Sequence, residues 1–304
     1  MTIRTSGFTF LRNAVKLDYP AVESIRSVLP IVDEFIVNIG PSDDGTEDLV
    51  RSINDSKIKI IHSQWNPNIV QGGYIYAQQT NIALFNCMGK WAFYIQSDEV
   101  VHDEDLPILD ELMKKCEDDN RIEGLALNEL TFWGDYKTII NVYPWRYGHR
   151  CWVVKPHKFV LSRGDASGFT VHPKYKERGR RIRVAYSGAR IFHYPEIKPP
   201  KTVAEKFKTI SNYWSEMLKQ EQLDELCNTS VYKRLPRSFV ENYEGTHPTV
   251  MKKRIEQYPI KLDLNSSEWR TKLTWYERKK LIQTWLIKRL GDRWFTQSYK
   301  LVRL

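Results

Sequence analysis

Hydrophobic and polar positions alternate between two periods through the first third of the chain. Gly7-Phe8-Thr9-Phe10-Leu11 has the β-branched and aromatic character of a strand, and it gives way to Arg12-Asn13. From Pro20, whose fixed φ suits a first helical position, Val22, Ile25, Val28 and Leu29 fall on one face of a predicted helix. Phe35-Ile36-Val37 predicts a second strand. The turn Gly40-Pro41-Ser42-Asp43-Asp44-Gly45-Thr46 follows, with Thr46 as the expected N-cap of a helix carrying Leu49, Val50 and Ile53. Ile58-Lys59-Ile60-Ile61 predicts strand three. After Gly72-Gly73, Tyr74 to Phe85 has helical spacing, with Gln78 and Asn81 one turn apart.

That helix leads to Trp91-Ala92-Phe93-Tyr94-Ile95, an apolar run broken at once by Gln96-Ser97-Asp98-Glu99. A buried central strand that runs out into polar side chains has this form. Leu106, Leu109, Leu112, Met113 and Cys116 then predict an amphipathic helix, and Gly124-Leu125-Ala126-Leu127 a further strand. Strands and helices in this alternation predict a doubly wound α/β sheet, whose ligands gather in the crevice beyond the strands' carboxyl ends.

Past Asn128 the texture changes. Residues 128–171 are crowded with Trp, Tyr, Arg, Gly and His, and only short apolar runs remain, such as Trp152-Val153-Val154 and Phe159-Val160. Loops that carry function have this composition. Ser162 to Phe169 predicts a flexible turn that holds Asp165 between glycines, and Ile191-Phe192-His193-Tyr194 a short strand ending in a histidine. Pro195, Pro199 and Pro200 mark an expected boundary, which divides the chain into residues 1–197 and a mainly helical extension, 198–304. In that extension Val203, Phe207, Ile210, Trp214 and Leu218 keep near-helical spacing, with Lys201, Lys206 and Lys208 among them.

Composition narrows the class. With 304 residues, 41% of them hydrophobic, the chain can bury a large core, and its 10 Trp, 16 Tyr and 12 Phe exclude a disordered protein. The formal net charge of +9 implies an anionic partner of some kind. Much of it lies in the last segment, where Arg278, Lys279, Lys280, Lys288, Arg289 and Arg293 alternate with Trp275, Trp285, Trp294 and Phe295. Two readings of that segment stand: a charged face packed over the rest by its tryptophans, or a basic aromatic surface that meets anionic lipid or a lipid-linked diphosphate. Cys87, Cys116, Cys151 and Cys227 are too widely spaced for a zinc site and are expected to be reduced. Residues 1–10 show neither the basic nor the apolar part of a secretory signal, and no apolar run reaches membrane-spanning length. A cytoplasmic protein is expected, with the inner membrane face as the place of any surface contact.

Four pieces in order carry a family resemblance: the first strand with Leu11-Arg12-Asn13, the segment Val32 to Val37 followed by Ser42-Asp43-Asp44-Gly45-Thr46, the helix with Asn81, and the strand ending Gln96-Ser97-Asp98. In this conjunction residues 7–195 resemble the inverting glycosyltransferases of family 2, which have the GT-A fold, a Rossmann-like mixed sheet flanked by helices. The resemblance implies a transfer of sugar from a nucleotide-diphosphate donor to an acceptor hydroxyl, commonly with Mg²⁺ or Mn²⁺, in cell-surface glycan or polysaccharide synthesis. It implies that Arg12 and Asn13 lie along the nucleoside, with Asn81, Gln96 and Ser97 beside the donor, that Asp44 faces the base or ribose, and that Asp98 holds the metal. His193 matches a histidine that some of these enzymes add as a metal or phosphate contact; it could equally be a packed histidine.

The sequence departs from the family in two places. Gln96 replaces the first aspartate of the Asp-x-Asp signature and brings no charge to a cation site. At the end of the second strand Asn38 or Ile39 stands where an acidic residue is common. An inverting displacement also needs a carboxylate to take the acceptor's proton. Asp165 is the first candidate and Asp135 the second, each with an ordinary turn role as its alternative. Trp133, Trp145, Tyr147 and Trp152 could stack on sugar rings or pack in the core. Competing functions are a sugar-1-phosphate nucleotidyltransferase, against which the first loop lacks glycine, and a relative that binds a nucleotide or nucleic acid without catalysis. No specific nucleic-acid motif is present.

Overall fold

The computed structural model describes residues 3–173, 179–214, 229–291 and 299–304; Leu218, Cys227, Arg293, Trp294 and Phe295 lie outside them. The first half follows the predicted alternation. Strands β1 (Thr5–Leu11), β2 (Glu34–Ile39), β3 (Ile58–His62) and β4 (Trp91–Tyr94) enclose helices α1 (Ala21–Val28), α2 (Thr46–Arg51) and α3 (Tyr74–Leu84). β1 pairs in parallel with β2 and β4, and β2 with β3. β2 and β4 are buried along their whole lengths, as their unbroken apolar runs require. At the head of α2 the N-cap is Gly45, in the left-handed region, and not Thr46, which is the first helical residue. Helix α4 (Leu106–Lys115) closes over β4, where the Trp91 indole donates to the Met113 carbonyl at 2.9 Å.

The segment expected to be loop-rich is mostly sheet. β6 (Gly124–Trp133), β7 (Asp135–Ile140), β8 (His149–Val154), β9 (Val160–Arg163) and β10 (Gly168–Val171) occupy it, and the short strand expected at Ile191 is the end of the 14-residue β11 (Arg180–His193). Of the aromatic residues that suggested loops, Trp133 and Trp152 are core side chains on strands, while Trp145 and Tyr147 lie in the turn before β8. Antiparallel β8 joins β4 to β6, so one mixed sheet runs in the order β3-β2-β1-β4-β8-β6-β11-β10-β9. Helices flank it, which makes the fold a mixed α/β sheet.

The run through Gln96 is also shorter as a strand than its sequence suggests. β4 stops at Tyr94, and the chain turns at Gln96 to Asp98 before β5 (Glu99–Val101) pairs antiparallel with the end of β11, Glu99 opposite His193.

Residues after 197 are built into the same body. Helices α5 (Pro200–Ser211), α6 (Lys252–Gln257) and α7 (Trp275–Leu290) are joined by β12 (Val240–Asn242), which pairs with β7, and β13 (Tyr299–Leu301), which runs parallel to β11. Val203, Tyr232, Phe239, Leu264 and Trp269 pack with Trp133 and Ile140 in one apolar cluster, and Met251 joins Phe132, Phe192 and Tyr194 in another.

Where β6 and β11 begin, a buried carboxylate ties them. Glu123 accepts from Arg183 N at 3.0 Å and Nη2 at 2.8 Å, and from Arg180 Nη1 at 2.9 Å. Burial opposes its ionisation, but these hydrogen bonds lower its pKa from 4.5 to about 2. A depressed carboxylate contributes stability that is present above its unfolded pKa and is lost as pH falls through the folded one. Glu123→Gln is therefore expected to lower the unfolding free energy by about 2 kcal/mol at neutral pH. In urea titrations the deficit relative to the parent should shrink as pH falls from 4.5 toward 2; a deficit independent of pH would contradict the assignment.

Candidate active site

A cavity of about 310 Å³ opens at the carboxyl ends of β1 and β4, in the size range of small-molecule sites. Its lining includes Arg12, Asn13, Gln96, Ser97, Asp98, Asp165 and His193, and residues of α5 and the turn after it close the opposite side. Seven of the ten candidate residues from the sequence share this one space. Asp44, Asn81 and Asp135 do not line it.

The three have other partners. Asp44 accepts from Lys16 N at 2.7 Å, Thr46 N at 3.1 Å and Thr46 Oγ1 at 2.6 Å, which stiffens the loop joining β2 to α2. Asn81 clamps β9 to α3: its amide donates to Ser162 O at 3.1 Å, and its oxygen accepts from Ser162 N at 2.8 Å. Asp135 is buried and accepts from Lys137 N at 3.0 Å and Leu262 N at 2.6 Å.

The wall at β1 is aromatic and cationic. Phe10, Trp65, Tyr76 and Tyr213 pack ring against ring with centroids 5.5 to 6.0 Å apart. Arg12 lies 5.0 Å above the Trp65 ring, donates to Pro41 O at 3.1 Å and bonds the Tyr213 hydroxyl. Trp65 can lie this close because position 40 is glycine; a Cβ there would meet the indole nitrogen at 2.2 Å. Asn13 holds a left-handed backbone, φ 51°, and links its loop to the next through Ser42 Oγ at 3.0 Å and Asp43 N at 3.3 Å.

The wall at β4 carries the charge. Asp98 Oδ1 is 3.7 Å from His193 Nε2, and Asp98 Oδ2 is 3.7 Å from Lys206 Nζ. Behind the imidazole, Nδ1 lies 3.2 Å from Glu129 Oε1, and Glu129 Oε2 accepts from Arg150 Nε at 2.5 Å. Burial works against every charge in this chain of contacts, and the partners outweigh it. His193 is pushed up to about 10 by Asp98 and Glu129, Glu129 is lowered to about 2 by Arg150 and His193, and Asp98 is held well below the usual carboxylate range by His193, Lys206 and Lys198. Glu99 differs: burial raises it to about 7, and it accepts from Trp152 Nε1 and Gln96 N, each at 2.9 Å. Lys206 donates to Pro195 O at 2.8 Å, and Lys198, depressed to about 7 by burial and then by Lys206, donates to Leu17 O at 2.8 Å.

Asp165 enters from the turn between β9 and β10, facing Gly73 at the start of α3. Gly73 has φ 65°, and a Cβ there would meet Asp165 Cβ at 2.9 Å, so only glycine allows this approach. Gln96 reaches the same turn, with Nε2 3.4 Å from Ala166 O.

Sequence reading missed Glu129, Arg150, Trp65 and Tyr213, and it named Lys206 only as one basic residue of a helix. Glu129 had a signal, a carboxylate within the mostly apolar run Leu125 to Trp133. The others had none, because their partners are remote in sequence.

The donor set fits a divalent cation in part. Asp98 Oδ1 and His193 Nε2 face each other 3.7 Å apart and Glu129 orients the imidazole from behind, but His193 must give up its Nε2 proton, which Asp98 and Glu129 stabilise, before it can ligate an ion. Among the described residues no three His, Cys, Asp or Glu side chains converge on one point. The remaining positions would fall to ligand phosphate and water oxygens, the usual case for Mg²⁺.

No protein-family model matches the sequence, and no curated protein does. Among solved structures, S. aureus TarS 1-349 is similar over 75% of this chain and 70% of its own, with TM-score 0.39 and 14% identity. A mannosyltransferase from Pyrobaculum calidifontis, in complex with GDP-Man and Mn²⁺, is similar over 42% of this chain and 36% of its own, with TM-score 0.33 and 16% identity. Glucosyl-3-phosphoglycerate synthase from Mycobacterium tuberculosis, in complex with Mn²⁺, UDP and phosphoglyceric acid, is similar over 42% of this chain and 43% of its own, with TM-score 0.31 and 20% identity.

Removing Glu129 should cost more than removing a surface charge. Glu129→Ala leaves Arg150 and His193, both partly buried, without their carboxylate and is expected to destabilise the fold by about 3 kcal/mol. Adding Arg150→Ala should restore part of the loss; a double mutant whose losses simply add would show that the pair is not coupled.

Proposed function

We propose that this chain is a glycosyltransferase that moves a sugar from a nucleotide-diphosphate donor to an acceptor hydroxyl with inversion, in the synthesis of a glycan or polysaccharide. One observation carries the reading: Arg12, Asp98, His193, Lys206 and Asp165, from five separate parts of the chain, line the same cavity at the strand ends. A nucleotide diphosphate needs an aromatic or polar wall for its base and cations for its phosphates, and this cavity offers both. The base belongs against the Arg12 and Trp65 side, the diphosphate against Asp98, His193 and Lys206, and the reacting sugar toward Asp165.

The displacement then balances as follows. The acceptor oxygen forms a bond to the anomeric carbon as the bond from that carbon to the diphosphate oxygen breaks. The bonding pair leaves with the diphosphate, and the acceptor's proton passes to the Asp165 carboxylate. Lys206 stands where it offsets negative charge building on the departing group. Asp98, joined by His193 once its Nε2 proton has left, would hold Mg²⁺ or Mn²⁺, which supplies further charge neutralisation for the diphosphate when bound. Asp165 is preferred to Asp135 because it is the one of the two that lines the cavity.

Two measurements test this. In a thermal-shift panel of nucleoside diphosphates and their sugars, with and without Mn²⁺, one base should raise the melting temperature selectively, and Asp98→Ala should remove the Mn²⁺-dependent part. No response to any of them would end the proposal. With the responding donor, Asp165→Asn should lose roughly 10²- to 10⁴-fold in kcat while keeping the donor-induced shift. Unchanged turnover in that variant would exclude Asp165 as the base.

A further inference from the structure

We infer that the outward face of α7 docks on an anionic phospholipid bilayer. The helix has two unlike faces. Its inner face is fastened: Thr284 Oγ1 accepts from Tyr143 N at 2.9 Å, Lys280 lies 5.3 Å from the Trp145 ring, Lys288 lies 5.1 Å from the Tyr147 ring, and Ile287 is buried. Its start is fixed by a capping box, with Thr274 Oγ1 accepting from Glu277 N at 3.2 Å and Glu277 also held by Arg270 at 2.9 Å.

The outer face is left in water. Trp275, Ile282 and Trp285 are 76%, 60% and 54% exposed, and Arg278, Lys279 and Arg289 stand exposed between them. These positions recur at helical spacing, so they form one stripe along the helix. Lys279 sits 5.7 Å from the Trp275 ring and Arg289 4.8 Å from the Trp285 ring, which pairs each flanking cation with an indole. The acidic residue of the helix, Glu277, is turned to Arg270 and away from the stripe.

Charge decides what covers this face. A second copy of the chain would set like charges opposite each other. A nucleic acid would satisfy the cations but offers nothing aliphatic to Ile282. An anionic bilayer takes both: indoles settle at the headgroup level, isoleucine below it, and Arg and Lys against lipid phosphates. Among the described residues no helix is long and apolar enough to cross a membrane, so α7 would lie in the plane of the interface. This inference does not rest on glycosyl transfer.

Flotation of the full chain with vesicles tests it. Binding is expected to phosphatidylcholine mixed with phosphatidylglycerol and not to phosphatidylcholine alone, weakening as salt rises. The variant Arg278→Gln/Lys279→Gln/Arg289→Gln should bind roughly a hundredfold more weakly, at about fivefold per cation. Trp275→Ser/Ile282→Ser/Trp285→Ser should lose both the binding and the blue shift of tryptophan emission on mixing. Both variants should keep the parent's melting temperature and nucleotide response, so failure of this inference is distinct from failure of the proposed activity. The inference is overturned if the parent ignores anionic vesicles, if either triple variant binds them like the parent, or if the same substitutions instead abolish a dimer seen by sedimentation or an equally tight complex with duplex DNA.

Discussion

The arrangement depends on one partly buried line of alternating charge: Lys206, Asp98, His193, Glu129 and Arg150. Each comes from a different piece of the fold: α5, the turn after β4, the end of β11, β6 and β8. Ions removed from water are costly unless every one is paired. Here each neighbour offsets the next, so the five elements are held in one mutual position or the charges are stranded. Such a line is weak evidence for stability in itself and stronger evidence for a defined geometry at the cavity wall.

The register of the sheet makes that line possible. β11 runs parallel to β6 with His193 opposite Thr131 and Ile191 opposite Glu129, so His193 and Glu129 sit diagonally across the ladder. The antiparallel pairing of β5 with β11 places Glu99 opposite His193, which brings the preceding residue, Asp98, to the imidazole. A shift of one residue in either pairing would turn the partners to opposite faces. The site is therefore set by strand pairing more than by any loop.

On the far side the cavity is closed by residues beyond the proline-rich stretch. Lys206, Thr209, Ile210 and Trp214 face the strand ends, and Tyr213 reaches back to Arg12. The C-terminal segments serve two ends: α5 completes the cavity, while α7 presents an apolar and cationic stripe outward. The division between them follows from what each inner face contacts, the Asp98 region for α5 and the Tyr143 to Tyr147 turn for α7.

Local sequence determined the parallel half of the sheet and its helices. Unbroken apolar runs such as Phe35-Ile36-Val37 and Trp91 to Tyr94 can be buried on both faces only as central strands, and polar residues directly after them mark the strand ends where Arg12 and Asp98 lie. Periodicity could not reveal the second half. In β6 to β11, tryptophans, histidines and arginines stand in strands because their partners lie across the sheet, and a run such as His149 to Val154 shows no such partner in its own neighbourhood. Tertiary structure alone decided that Asp165 and not Asp135 lines the cavity, that Asp44 braces a loop and Asn81 ties α3 to β9, and that Glu129 and Arg150 stand behind His193. Those assignments rest on contacts between residues distant in the chain, whose energies exist only once the backbone has brought them together.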